Sequence, residues 1–116
     1  MNTSTVCSRF HRAVELVGGR WNGPILQAAL AGRHRYADIK SAVPGLSDTM
    51  LSQRLRELEA EGLLERCVVP SSPVRVEYYP TDKGRALDPV LRAVAAWADQ
   101  WIEPVDDLAG EAAAGR

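Results

Sequence analysis

Apolar positions in this chain recur at helical spacing in five stretches and near alternation in two. Phe10, Ala13, Val14 and Val17 mark a helix over Ser8–Val17, ended by Gly18-Gly19. Ile25, Leu26, Ala29 and Leu30 form the stripe of a second helix. Arg20-Trp21-Asn22-Gly23-Pro24 introduces it, with Pro24 in the first turn where no backbone donor is needed, and Gly32 ends it. Tyr36, Ile39 and Lys40 fit a short third helix, Tyr36–Ala42, followed by a turn through Val43-Pro44-Gly45-Leu46.

The fourth stretch, Leu46–Arg66, organises the rest. Ser47 is a good N-cap, Asp48 suits the positive end of the helix dipole, and Gly62 is placed as a C′ glycine. Leu51, Leu55 and Leu58 mark a buried face. At 100° per residue, Thr49, Ser52, Gln53 and Arg56 fall opposite that stripe, whereas Arg54 points nearer the leucine side. Hydroxyl, amide and guanidinium groups match base edges in a major groove. A merely solvated helix face has the same composition, so its neighbours decide. A short helix, a glycine-containing turn and a longer amphipathic helix make a helix-turn-helix pattern.

Leu64–Val69 and Val74–Tyr79 read as two strands joined by Pro70-Ser71-Ser72-Pro73, a hairpin placed where a wing would lie. Arg75 beside its tip either reaches a phosphate or the minor groove, or is a solvated edge charge. Pro80 ends the second strand and Thr81 caps a last helix with Asp82 in its first turn. Leu87, Leu91, Val94, Ala98 and Trp101 give that helix an apolar stripe, with Trp97 beside it, and Pro89 should kink or divide it. Two tryptophans on a terminal helix exceed what so small a domain buries alone, which points to a partner subunit.

Composition narrows the function. The chain has 116 residues, enough for one modest core. No apolar run approaches the ~20 residues of a membrane span, and the N-terminus lacks a signal peptide's apolar segment, so a cytoplasmic protein is expected. The net charge is −1, but Glu103, Asp106, Asp107 and Glu111 against Arg116 make residues 103–116 a −3 tail and leave +2 on 1–102. Any DNA surface is therefore a local patch. Cys7 and Cys67 are too far apart in sequence to suggest a disulfide framework or zinc site, and His11 and His34 are isolated. With no phosphate loop, nucleophile elbow or acid–base constellation, neither an enzyme nor a cofactor is indicated.

The assembled pattern resembles the HxlR-type winged-helix transcriptional regulators, relatives of the MarR-like proteins. The matching residues include Cys7, Gly19-Arg20-Trp21, Ile25-Leu26, Arg35-Tyr36-Ala37-Asp38-Ile39 and Pro44-Gly45-Leu46-Ser47. They continue through Leu51–Leu58, Glu61-Gly62-Leu63, Arg66, Val76-Glu77-Tyr78, Thr81-Asp82-Lys83-Gly84 and Trp97, covering about residues 7–101. This chain departs from the family in having Tyr36 where phenylalanine is common, Asn22-Gly23-Pro24 after the tryptophan, and Pro80 before Thr81.

The resemblance implies a mainly α fold with a small β-hairpin wing, a winged helix-turn-helix over residues 1–102, dimeric through its N- and C-terminal helices. It implies double-stranded DNA as partner, and a redox role for Cys7, whose other reading is an inert thiol. Thr49, Ser52, Gln53 and Arg56 are the expected base-reading face, with Ser47 at its cap. Arg35, Lys40 and Arg75 are expected near phosphates, and Arg54, nearer the leucine side, in a phosphate or a structural role. A small apolar effector among Trp21, Tyr36, Trp97 and Trp101 is a second mode of control, set against simple core and interface packing. The alternative function is a winged-helix module that binds protein and not DNA.

Overall fold

A computed structural model describes residues 7–104. Along the chain run α1 (Ser8–Gly18), α2 (Asn22–Leu30), α3 (Tyr36–Ala42), α4 (Asp48–Ala60), β1 (Leu64–Val69), β2 (Arg75–Pro80), α5 (Asp82–Arg85) and α6 (Asp88–Trp101). The hairpin is antiparallel, from Leu64 opposite Pro80 to Val69 opposite Arg75. The fold is the expected one, mainly helical with a winged hairpin. Of the acidic tail expected over 103–116, residues from 105 onward lie outside the described residues.

One core joins α2, α3, α4 and the base of the hairpin. Ile25, Leu26, Ile39, Leu51, Leu55, Leu58, Leu63 and Leu64 are almost wholly buried there, with Tyr78 and Leu91 at its edges. Each such aliphatic side chain contributes about 1.5–3 kcal/mol by leaving water. The leucine stripe of α4 is thus its inward face.

Local signals explain most boundaries. Ser47 accepts a hydrogen bond from the Met50 amide at 3.1 Å and starts α4. At the far end Gly62 takes a positive φ of 77°. The Leu63 amide then reaches the Leu58 carbonyl and the Gly62 amide reaches that of Glu59, which closes a Schellman motif. Pro89 divides the last helix rather than kinking it: α5 ends at Arg85 and Pro89 sits in the first turn of α6, where its missing N–H costs nothing.

Three expectations need correction. β2 begins at Arg75 rather than Val74 and extends to include Pro80, its last paired residue. The stripe assigned to the last helix is mostly uncovered: Leu91 is buried, whereas Val94, Trp97 and Trp101 are exposed. In α1, Phe10 and Val14 are likewise exposed, and only Leu16 and Val17 pack against the core. The apolar periodicity of the terminal helices therefore does not report burial within one protomer.

The departure at Asn22-Gly23-Pro24 has a local geometry of its own. Trp21 stands at the N-cap of α2 in the left-handed region, at φ 76°, a conformation that bulky residues seldom adopt. Its ring is buried in the core, with the Arg20 guanidinium 5.1 Å from the ring centroid. Asn22 ties the turn down by donating from Nδ2 to the Leu16 carbonyl at 2.8 Å.

Candidate nucleic-acid interface

With Leu51, Leu55 and Leu58 anchored inward, Thr49, Gln53 and Arg56 on the other side of α4 are exposed and Ser52 is half-buried. Both ends of this helix are held. At its C-terminus the Glu61 carbonyl accepts from Lys83 Nζ at 2.7 Å and the Gly62 carbonyl from the Thr81 hydroxyl at 2.6 Å. A cation on the last carbonyls also suits the negative end of the helix dipole. Arg12 of α1 pairs with the Glu61 carboxylate, so the first helix braces the same end.

At the N-terminus α3 makes the contacts. The Tyr36 hydroxyl lies 3.1 Å from the Asp48 carbonyl oxygen, 3.2 Å from Asp48 Oδ1 and 3.2 Å from Ser52 Oγ. Lys40 Nζ approaches the same carboxylate oxygen at 3.4 Å. These contacts set the angle between the two helices of the helix-turn-helix.

The hairpin is fixed to α3 through the chain just before it. The Tyr78 amide donates to the His34 carbonyl at 2.7 Å, and Arg35 forms a backbone bridge with Glu77. The two-stranded wing is therefore joined to the start of α3 by a single isolated bridge. The His34 and Tyr79 rings pack with centroids 4.1 Å apart. Glu77, its side chain largely covered, accepts from the Tyr79 hydroxyl at 2.6 Å and lies 3.6 Å from Arg75 Nη2. That hydrogen bond, then burial and the carboxylate charge, push the Tyr79 phenol above its ordinary range.

Between α3 and the wing tip lies an open cleft of about 540 Å³, lined by Arg35, Tyr36, Ser71, Ser72, Pro73 and Arg75 among others. It brings two guanidinium groups, Arg35 and Arg75, to one side of the wing. The exposed groups of α4, Lys40 beside Asp48, and this cleft form a polar surface fit for a phosphate backbone flanking a groove-reading helix.

Two groups of expected site residues have neighbours outside this surface. Arg54 donates from Nη1 to Glu57 at 2.7 Å and lines a crevice between α1 and α4 with Arg12, Arg20 and Asn22. Its Nε is buried and has no partner among the described residues. Its place beside the leucine stripe thus brings it against α1, the structural setting expected from helical geometry. The four aromatic residues are not gathered into one cleft of the protomer: Trp21 is core, Tyr36 lines the wing cleft, and Trp97 and Trp101 project from α6. Cys7 occupies the N-cap position of α1, half-buried and free, as is Cys67. The roles of Asp48 and Glu77 were not legible in sequence, because each is defined by a partner in another element.

This geometry has counterparts among known proteins. The family model described as HxlR-like helix-turn-helix matches residues 16–106. The chain is 47% identical over 104 residues to the uncharacterised HTH-type transcriptional regulator YvaP of Bacillus subtilis, covering 90% of this chain and 96% of that protein. It is 42% identical over 108 residues to the HTH-type transcriptional regulator YodB of the same organism, covering 93% and 96%. The solved structure of reduced YodB superimposes with a TM-score of 0.75, over 88% of this chain and 100% of that one. The redox regulator HypR in its oxidised form gives a TM-score of 0.76 at 29% identity, over 83% and 99%. No helix of the described residues is long and apolar enough to cross a membrane.

Proposed function

The chain belongs to the HxlR-like helix-turn-helix family of transcriptional regulators, and from that premise we propose that it binds an inverted-repeat operator as a homodimer with α4 in the major groove. The observation carrying this reading is the division of α4 into a buried leucine face and an exposed face of Thr49, Gln53 and Arg56 with Ser52 at its margin. Thr49, Ser52, Gln53 and Arg56 read base edges. Ser47, Arg35, Lys40 and Arg75 meet phosphates on either side, the first at the N-terminal end of the helix where anions are favoured.

Dimerisation uses the uncovered stripes. Val90, Val94, Trp97 and Trp101 share one face of α6, at i, i+4, i+7 and i+11, and all are exposed, as are Phe10 and Val14 of α1. A second copy covers them and sets the two reading helices about one DNA turn, ~34 Å, apart.

Control runs through Cys7. YodB has been solved in a reduced and a diamide-treated form, and the redox regulator HypR in oxidised and reduced forms, which supports a redox mode of control. Cys7 stands at the N-cap of α1, half-buried and with a free thiol. Because α1 also braces α4 through Arg12 and Glu61, modification at its start is transmitted to the reading helix. A small effector at the dimer interface, against Trp97 and Trp101, is the second mode of control.

Titrating labelled duplex at several salt concentrations tests the whole reading. A steep fall of affinity with salt and a sequence preference are expected. Absence of both from a folded dimer would favour the protein-binding alternative.

A further inference from the structure

We infer that the Tyr36 hydroxyl fixes the polarity of Ser52, turning it into a hydrogen-bond acceptor that selects an amino-bearing base, adenine or cytosine. This rests on the reading of α4 as the helix that enters the major groove. The Tyr36 hydroxyl faces three oxygens: the Asp48 carbonyl at 3.1 Å, Asp48 Oδ1 at 3.2 Å and Ser52 Oγ at 3.2 Å. The phenol has one proton to give. A backbone carbonyl and a carboxylate only accept, so both Asp48 contacts require that proton. Toward Ser52 the phenol oxygen is left with lone pairs alone.

Ser52 must then donate. Its single hydroxyl proton goes to Tyr36, and what remains on Oγ for an outside partner is a pair of acceptor sites. Lys40, 3.4 Å from Asp48 Oδ1, supports the polarity by keeping that oxygen in an acceptor role. Half-burial of both Tyr36 and Ser52 shields the pair from the water exchange that would let the hydroxyls turn freely.

In the major groove an acceptor on the protein meets a donor only at adenine N6 or cytosine N4, whereas guanine and thymine present acceptors. Ser52 placed against guanine O6 or thymine O4 would set lone pair against lone pair. A serine with a free rotor discriminates poorly, because it serves as donor or acceptor as required. Tyr36 is thus a positioning residue for sequence preference, although it touches no base.

Selection of duplexes from a random library, using the full chain, Ser52→Ala and Tyr36→Phe, tests the assignment and assumes no operator sequence. In the unmutated protein one position per half-site should favour adenine or cytosine over guanine or thymine by about tenfold, the value of one hydrogen bond. Ser52→Ala and Tyr36→Phe should both flatten that position and leave the others intact. The inference is overturned if Ser52→Ala changes no position, or if Tyr36→Phe keeps the preference that Ser52→Ala loses. It is overturned equally if the Ser52-dependent base is guanine or thymine, a result that needs no Tyr36 variant. If the unmutated chain selects no sequence, the reading of α4 fails and the inference with it.

Discussion

The Thr81 hydroxyl donates to the Gly62 carbonyl at 2.6 Å and accepts from the Gly84 amide at 3.0 Å. One side chain therefore caps α5 and satisfies the turn that ends α4, linking the far side of the hairpin to the reading helix. Replacing it tests how much of the helix position depends on this joint. Thr81→Val keeps the shape and removes both hydrogen bonds, and should cost about 1–2 kcal/mol in urea unfolding. A midpoint unchanged from that of the parent chain would show that solvent replaces both bonds.

Gly84 beside it is the more sensitive position. A Cβ there would stand 2.2 Å from the Leu63 carbonyl oxygen, which is backbone and cannot step aside. Gly84→Ala should therefore destabilise by about 1–3 kcal/mol or more, as overpacking does. Gly62→Ala meets only ordinary contact with the Lys83 side chain but must hold φ 77°, so its cost should be about 1–2 kcal/mol. Thermal unfolding of the two variants, ranked in the opposite order, would contradict this account.

On DNA the two arginines should separate cleanly. Arg56→Ala is expected to cost about 1–3 kcal/mol on the selected site and relax preference at one base pair. Arg75→Ala should weaken binding nearly uniformly across sequences and lower the salt slope by about one. Because Arg75 lies 3.6 Å from Glu77, Glu77→Gln should strengthen general affinity, provided the wing stays paired. Fluorescence anisotropy at several salt concentrations reads all three. An Arg56→Ala dimer with unaltered preference would remove α4's outer face from the reading role.

For assembly, Trp97 is 59% exposed and Trp101 66% exposed in the single protomer. Replacing both with alanine should shift the chain toward monomer at micromolar concentration. Light scattering would check this, and an unmutated chain that is already monomeric would refute the proposed interface.

The wing has its own dependence on pH. Glu77 holds the Tyr79 phenol protonated, so the folded chain binds that proton more tightly than the unfolded chain. The resulting stabilisation is complete below the ordinary tyrosine range and is lost as pH rises through the raised folded value. Ultraviolet titration, with Tyr79→Phe to assign the signal, should place Tyr79 above an ordinary tyrosine and Glu77→Gln should bring it down. Titration at the ordinary position in the unmutated chain would mean that the hydrogen bond does not persist in solution.

Much of this arrangement was legible in the chain itself where the causes are local. The bounds of α3 and β1, the Ser47 and Thr81 caps and the Gly62 stop all follow from neighbouring residues. What failed depended on distant partners. The apolar stripe of Phe10 and Val14 looks like core, because periodicity records that a face is to be covered but not by what, whereas the excess of Trp97 and Trp101 over what one small domain buries is itself a sign of exposure. Helical geometry places Arg54 on the leucine side, but its partners, Glu57 and the crevice at α1, appear only in the fold. The Tyr36 contacts with Asp48 and Ser52 span 12 and 16 positions, and no spacing rule connects them.

The bridge between Arg35 and Glu77 bears on how such a domain can diverge. Leu64–Val69 and Arg75–Pro80 are paired along their whole length, and slipping either strand by one residue would turn Glu77 and Tyr79 to the opposite face. Residues 70–74, beyond the last pair, are therefore where a change of length should leave the register intact. A longer or shorter tip would change how far the wing extends, while the joint at His34 and Arg35 would still hold the hairpin to the start of α3. Length at the tip and chemistry on α4 can evolve as separate characters.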